Sequence, residues 1–269
     1  MRISIITIGF LLLLSSTVTA KESIVFGVVP QQSASKLASQ WLPVMNYLSK
    51  EVGVPMTFAT KPSIPEFERE LSQNGYDIAY MNPYHYTVFS RENDYRAIAK
   101  AKDKLIKGII VVRKDSSYNS MAELSGTAVA FPSPAAFAAS ILSRGYFIQQ
   151  GIDITPTYVR SHDSVYLNVA KGLFPAGGGV KRTFNAMDPK VTDQLKIMWE
   201  SKGYTPHAIA VSADMPSDLK QRLQQAFIKM DAEMPELLLP LKVKGFVAAE
   251  DSDWDDVREL AINVELSRE

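Results

Sequence analysis

A chain of 269 residues with 29 Lys plus Arg against 29 Asp plus Glu, 46% apolar residues and no cysteine has the composition of a folded globular protein. Disorder, a disulfide scaffold, thiol catalysis and thiolate-bound Fe–S or zinc are excluded. The balanced charge argues against nucleic acid as a partner, because such proteins carry a strongly basic footprint.

The first twenty residues read as an address. Arg2 supplies a positive start, Ile3 to Leu14 is almost continuously apolar, and Ser15 to Ala20 is small and mostly polar, with Val18 and Ala20 where a signal peptidase prefers them. The apolar core falls short of the roughly 20 residues that span a bilayer. A signal peptide cleaved after Ala20 is expected, leaving an exported soluble chain that starts at Lys21, most simply in a periplasm.

The elements then alternate. Ile24 to Val29 reads as a buried strand. Leu37, Trp41, Val44, Met45 and Leu48 recur at helical spacing and predict a helix over Ser33 to Lys50. Val54 to Thr60 is a strand, Ser63 to Asn74 a helix, Tyr76 to Tyr80 a strand, and a helix opens at Pro83. The order restarts with strands at Ile109 to Arg113 and Thr127 to Phe131, separated by a helical turn at Met121 to Leu124. A helix from Pro134 to Gln150, a strand from Pro156 to Arg160 and a helix from Ser161 to Lys171 follow. Strands at Lys196 to Glu200 and His207 to Ser212 precede C-terminal helices at Pro216 to Met230, Pro235 to Leu241 and Trp254 to Val264. This is an α/β pattern with largely parallel sheets. Two such blocks without a linker suggest two lobes joined by crossings near Lys100 to Gly108 and Ser201 to Ser212. The expected division is 1–20 signal peptide, 21–105 the first part of lobe one, 106–212 lobe two, and 213–269 helices returning to lobe one.

Ligands of open α/β sheets sit beyond the C-terminal ends of the strands, so residues just after each strand are the candidates. They are Gln31 and Ser33, Tyr84 within Tyr84-His85-Tyr86, Ser133-Pro134-Ala135-Ala136, Ser161-His162-Asp163, and the Gly177-Gly178-Gly179 run. Ser133 is a favoured helix N-cap with Pro134 at the first helical position. The free amides of Ala135 and Ala136 would then face an anion at a positive helix end. Ser161 repeats the arrangement, with His162 as a donor. The glycines would let backbone amides approach ligand closely, but lack the Gly-Lys-Ser/Thr of a nucleotide loop. The three histidines lack metal-ligand spacing, and no nucleophile motif is present. No enzyme activity, cofactor or metal is therefore expected. A ferric site from Tyr84, Tyr86, His162 and Asp163 is the alternative metal reading.

Four segments carry a resemblance: Phe26 to Gln32, Tyr76 to Tyr84, Ala130 to Ala136 and Ser161 to Ser164. In that order they resemble the phosphate/phosphite/phosphonate-binding proteins of ABC transporters, the PhnD-like group. The resemblance implies a type II periplasmic binding protein fold, each lobe a mainly parallel sheet flanked by helices, with a ligand cleft between lobes. It also implies a monomer that closes on a small phosphorus oxyanion and delivers it to an ABC permease. The alternative is a sensing subunit for a membrane receptor kinase or cyclase. The expected ligand-binding set is Gln31, Ser33, Tyr84, Ser133, Ala135, Ala136, His162 and Gly178. Ser133-Pro134-Ala135-Ala136 offers fewer hydroxyls than phosphonate binders of the group, and the glycine run has no acidic side chain to hold an aminoalkyl substituent.

Overall fold

The computed structural model describes residues 23–260, so the signal-peptide expectation lies outside the described residues. Short buried strands and amphipathic helices build two sheets. In the first, β1 (Ile24–Val28) is parallel to β2 (Met56–Ala59) and β3 (Ile78–Met81), the crossovers being α1 (Ala34–Val52) and α2 (Ile64–Ser72). After α3 (Pro83–Glu92), the chain enters β4 (Arg96–Ala101). The sheet is completed from far along the sequence. β10 (Ala208–Val211) lies between β3 and β4, antiparallel to both, and β11 (Phe246–Ala248) pairs with β4 at the edge.

The second sheet contains β5 (Gly108–Arg113), β6 (Thr127–Phe131), β7 (Ile154–Tyr158), β8 (Ala176–Val180) and β9 (Leu195–Glu200), in the order β7-β6-β8-β5-β9. β6 is parallel to β7 and β8, whereas β5 runs against β8 and β9. Both sheets are therefore mixed rather than mainly parallel. The chain crosses between them twice, through 102–107 and 201–207, and each incoming strand runs against its new neighbours. Because β10 belongs to the first sheet, the return crossing ends before residue 208.

Local chemistry sets the helix ends. Ser33 Oγ accepts from the Lys36 amide at the start of α1, and Gly53, at φ 67°, closes it in the left-handed conformation that glycine adopts freely. The α1 stripe of Leu37, Trp41, Val44, Met45 and Leu48 buries against the first sheet beside α8 (Ser217–Glu233). On the sheet's other face, Met81, Tyr84 and Ala208 share one core with Ala135–Ile141 of the second sheet. The remaining helices are α4 (Leu142–Gln149), α5 (His162–Ala170), α6 (Lys181–Asn185), α7 (Pro189–Thr192) and α9 (Asp255–Arg258). No helix among the described residues is long and apolar enough to cross a membrane.

The run Gly177-Gly178-Gly179 is the interior of β8, not a ligand loop, which corrects the expectation for Gly178. A Cβ at Gly178 would lie 2.2 Å from the Ala139 carbonyl oxygen, and one at Gly179 would lie 2.3 Å from the Tyr166 hydroxyl. The glycines keep side-chain volume off a strand pressed from both sides. Gly108 does the same on neighbouring β5, 2.2 Å from the Ala138 carbonyl. Together Gly108 and Gly178 seat the 137–141 segment directly on the sheet.

Candidate ligand-binding site

The segment after β6 departs from the expected N-cap. Residues 133–136 form a turn in which the Ala136 amide donates to the Ser133 carbonyl at 3.2 Å. The helix starts at Phe137 as a π-helical turn, Phe137–Ile141, and continues as α4. Pro132 and Pro134 flank Ser133, remove two amides and disfavour helical backbone before each ring. Ser133 therefore caps nothing: its Oγ is buried and has no hydrogen-bond partner. The Ser140 and Ile141 amides both donate to the Ala136 carbonyl, at 2.7 and 3.3 Å. The amides of Phe137, Ala138 and Ala139 come before the first intrahelical bonds, as in any first turn.

A small cavity opens at this helix start. Gln31 and Asn82 line it from the ends of β1 and β3, Ala136, Phe137 and Ala138 from the helix start, and His162 from α5; Ile106 and Val180 close its side. Asn82 caps α3 by accepting from the His85 amide at 2.8 Å, and its Nδ2 donates to the Ala135 carbonyl at 3.1 Å. Ala135 thus ties the two sheets together through its carbonyl, while Ala136 faces the cavity.

His162 opens α5 behind Ser161, whose Oγ accepts from the Ser164 amide at 3.1 Å. The His162 backbone amide donates to the Gln31 carbonyl at 3.4 Å. Its imidazole is 1% exposed and neither ring nitrogen has a partner. Burial, reinforced by the nearby Arg182 charge, pushes its pKa down to about 3. The ring is therefore neutral near pH 7, with one N–H to donate and one nitrogen to accept. A buried ring with two unsatisfied nitrogens costs stability unless something fills the gap.

The other expected residues divide. Gln31 lies at the cavity. Ser33 is exposed and serves as the α1 cap. Tyr84 is buried in the core shared by the two sheets and lines neither this cavity nor the larger one beside it. Tyr86 is held elsewhere: its hydroxyl donates to Asp251 at 2.8 Å, and its ring packs on Trp254 at 4.4 Å. That separates it from His162 and removes the donor set of a ferric site. Among the described residues no cluster of His, Asp and Glu could hold a metal ion.

The larger cavity, about 340 Å³, lies where the two crossings meet. It shares Ile106 and Val180 with the small cavity, and its cationic lining includes Lys104, Lys107, Lys181, Arg182 and Lys242. Glu200 neutralises part of this charge. It accepts from Lys107 at 2.8 Å and is in close contact with Lys181, and both ammoniums hold its carboxyl below the ordinary range. Lys104, Arg182 and Lys242 have no carboxylate partner among the described residues. Arg182 donates to Gln31 Oε1 at 2.6 Å, Lys104 to the Lys242 carbonyl, and Lys242 to the Asn185 carbonyl at 2.7 Å. Burial, then Arg182 and Lys242, push the Lys104 ammonium down to about 8. His207 stacks on Tyr80 at 4.8 Å, and its buried Nε2 is unpartnered. Burial is the main cause that holds its pKa well below the ordinary value.

Asn82 falls in the strand-end segment from Met81 to Tyr86, where sequence reasoning gave the ligand role to Tyr84, and the whole cationic group was missed. The strand-end rule would have found Lys181 and Arg182 had the glycines been read as a strand, because both follow β8 directly. Lys104, His207 and Lys242 lie on the crossings and a C-terminal loop, and carry no local signal.

Similarity to known proteins agrees with this architecture. A family model described as ABC transporter, phosphonate, periplasmic substrate-binding protein matches residues 26–254. The chain is 21% identical to the phosphate-import protein PhnD of Mycolicibacterium smegmatis, over 88% of this chain and 84% of that one. PhnD1 from Prochlorococcus marinus, solved in complex with methylphosphonate, superposes with a TM-score of 0.83 at 18% identity, covering 89% of this chain and 97% of that one. A binding-protein component of an ABC phosphonate transporter from Pseudomonas aeruginosa superposes with a TM-score of 0.82 at 18% identity, covering 90% and 86%. At these identities the structural likeness speaks for the fold.

Proposed function

The chain belongs to the family of periplasmic substrate-binding proteins of ABC phosphonate transporters, and from that premise we propose that it captures its oxyanion in the small cavity at the Phe137 helix start. The family is a transport component, not an enzyme, and its partner is an ABC permease. The ligand is a phosphate, phosphite or phosphonate head group. The amides of Phe137 and Ala138 and the positive end of the 137–149 helical segment receive its charge. His162 donates a further hydrogen bond, and Gln31 and Asn82 close from the first sheet. The protein is exported by cleavage after Ala20 and acts as a monomer. Its two lobes hinge at 102–107 and 201–207, with the C-terminal helices on lobe one.

The observation that carries the reading is His162: a buried neutral ring with both nitrogens unpartnered, lining the same cavity as first-turn amides. A tetrahedral oxyanion accepts both from the ring N–H and from the amides. Hydrogen bonds to a charged group contribute about 1.5–3 kcal/mol each, so four or five of them support micromolar or tighter affinity.

The test is calorimetry with phosphate, phosphite, methylphosphonate and sulfate on the wild type and on His162→Ala. At a hundred times its dissociation constant, a true ligand adds about 2.7 kcal/mol of stability, which a thermal-shift assay reads. Phosphorus oxyanion binding weakened at least about tenfold in His162→Ala supports the site. Absence of binding to any phosphorus oxyanion, or unchanged affinity in the variant, overturns it.

A further inference from the structure

The larger cavity is more than a phosphate ion or methylphosphonate needs. Its volume of about 340 Å³ falls in the size range of small-molecule pockets, whereas the cavity at the helix start, about 10 Å³, has room for the oxygens that meet the amides and not for a whole ligand. The two spaces adjoin along Ile106 and Val180, and Gln31, which lines the small cavity, is bonded to Arg182, which lines the large one. A ligand longer than its head group would run from one into the other.

The lining fixes the chemistry of that extension. Lys104, Arg182 and Lys242 contribute three cations whose hydrogen bonds among the described residues go only to neutral oxygens, while the neighbouring Lys107 and Lys181 are neutralised by Glu200. No carboxylate of the described residues lines the cavity. His207, 4% exposed, adds an unpartnered ring nitrogen to the same wall. Cations crowded together without a counter-ion repel one another, and the lowered Lys104 value registers that repulsion along with burial. A second anion placed among them would relieve the repulsion and engage charge-assisted hydrogen bonds. An ammonium placed there would add to it.

Resting on the head-group assignment above, we infer that this protein's ligand is a bifunctional phosphonate or phosphate ester whose far end carries a second anionic group, held by Lys104, Arg182, Lys242 and His207. The oxyanion pocket supplies capture and the cationic annex supplies discrimination. Alkyl and aminoalkyl phosphonates fill the first site only.

The experiment compares 3-phosphonopropionate, methylenediphosphonate, propylphosphonate, 2-aminoethylphosphonate and methylphosphonate by calorimetry on the wild-type protein, Lys104→Gln and Arg182→Gln. 3-Phosphonopropionate and methylenediphosphonate separate a carboxylate from a second phosphoryl group as the favoured terminus. At least one of the two should bind ten or more times tighter than propylphosphonate, with 2-aminoethylphosphonate the weakest of the set. Each substitution should reduce that ratio toward one. Equal affinity for the charged and uncharged compounds, or tighter binding of the amine, overturns the annex and leaves the head-group site standing. A ratio unchanged in both variants does the same. No binding of any of the five overturns the annex, and the head-group reading falls with it when phosphate and phosphite also fail to bind.

Discussion

Arg182 reaches across the cleft: its Nη2 donates to Gln31 Oε1 at 2.6 Å, joining the start of α6 after β8 to the loop after β1. The two residues belong to different sheets and are 151 positions apart. One end of the pair stands at the small cavity and the other in the large cationic one. With the His162 amide bonded to the Gln31 carbonyl and Asn82 bonded to the Ala135 carbonyl, it ties the two sheets together beside the cavities.

Gln31→Leu removes the acceptor of that charge-assisted bond. Such bonds contribute about 1.5–3 kcal/mol, so oxyanion affinity should fall about tenfold or more. The ligand-free protein should be more open, which small-angle scattering reads as a larger radius of gyration. Unchanged scattering and unchanged affinity together would mean that the bond is incidental.

Ser133→Ala should separate binding from stability. The hydroxyl has no partner in the protein, so its removal costs no internal hydrogen bond and relieves a buried unsatisfied group. The melting temperature of the ligand-free protein should stay the same or rise, while methylphosphonate affinity, because Ser133 lines neither cavity, should be unchanged. A lower melting temperature would show that the hydroxyl has a structural partner instead.

Gly178→Ala tests the seat of the helix start. The added Cβ meets the Ala139 carbonyl oxygen at 2.2 Å and the Phe131 ring at 2.5 Å. Neither backbone nor a packed ring yields cheaply, and overpacking of this kind costs about 1–3 kcal/mol. Denaturant unfolding should show that loss, with a matching loss of oxyanion affinity as the 137–141 segment is lifted from the sheet. Ordinary affinity in a destabilised protein would mean that the segment's position does not matter.

Acid should unfold the protein through its buried histidines. His162, pushed down to about 3, and His207, held well below 6.5, stay neutral in the fold while the unfolded chain protonates near 6.5. The unfolded state then binds more protons than the folded one between about pH 6.5 and pH 3, so stability falls as pH falls through that window. Melting curves from pH 7.5 to 4 should show the decline, and His162→Asn should make it shallower. An unchanged slope would place His162 outside the linkage.

Much of the fold was legible because burial imposes period and punctuation on the sequence. The α1 stripe from Leu37 to Leu48, the strand Thr127–Phe131 and the Ser161 cap of α5 occur where local pattern put them. β8 did not, because three glycines offer no side-chain alternation; only the helices packed on it explain why they are glycine. β4 and β11 were missed, and the mixed pairing of the sheets was not visible at all, since strand direction depends on where the chain returns.

The candidate site divides along the same line. By itself, the sequence determined an α/β chain whose strand ends carry Gln31, Ser133 and His162, because chain order and turn chemistry are local properties. Only the tertiary structure moved the helix start from Ser133 to Phe137, turned Gly178 from a ligand loop into a seat, and sent Tyr86 to Asp251. It alone gathered Lys104, Arg182, His207 and Lys242 around one cavity. A net charge of zero hides that group, because charge is summed along the chain whereas a ligand meets it in space.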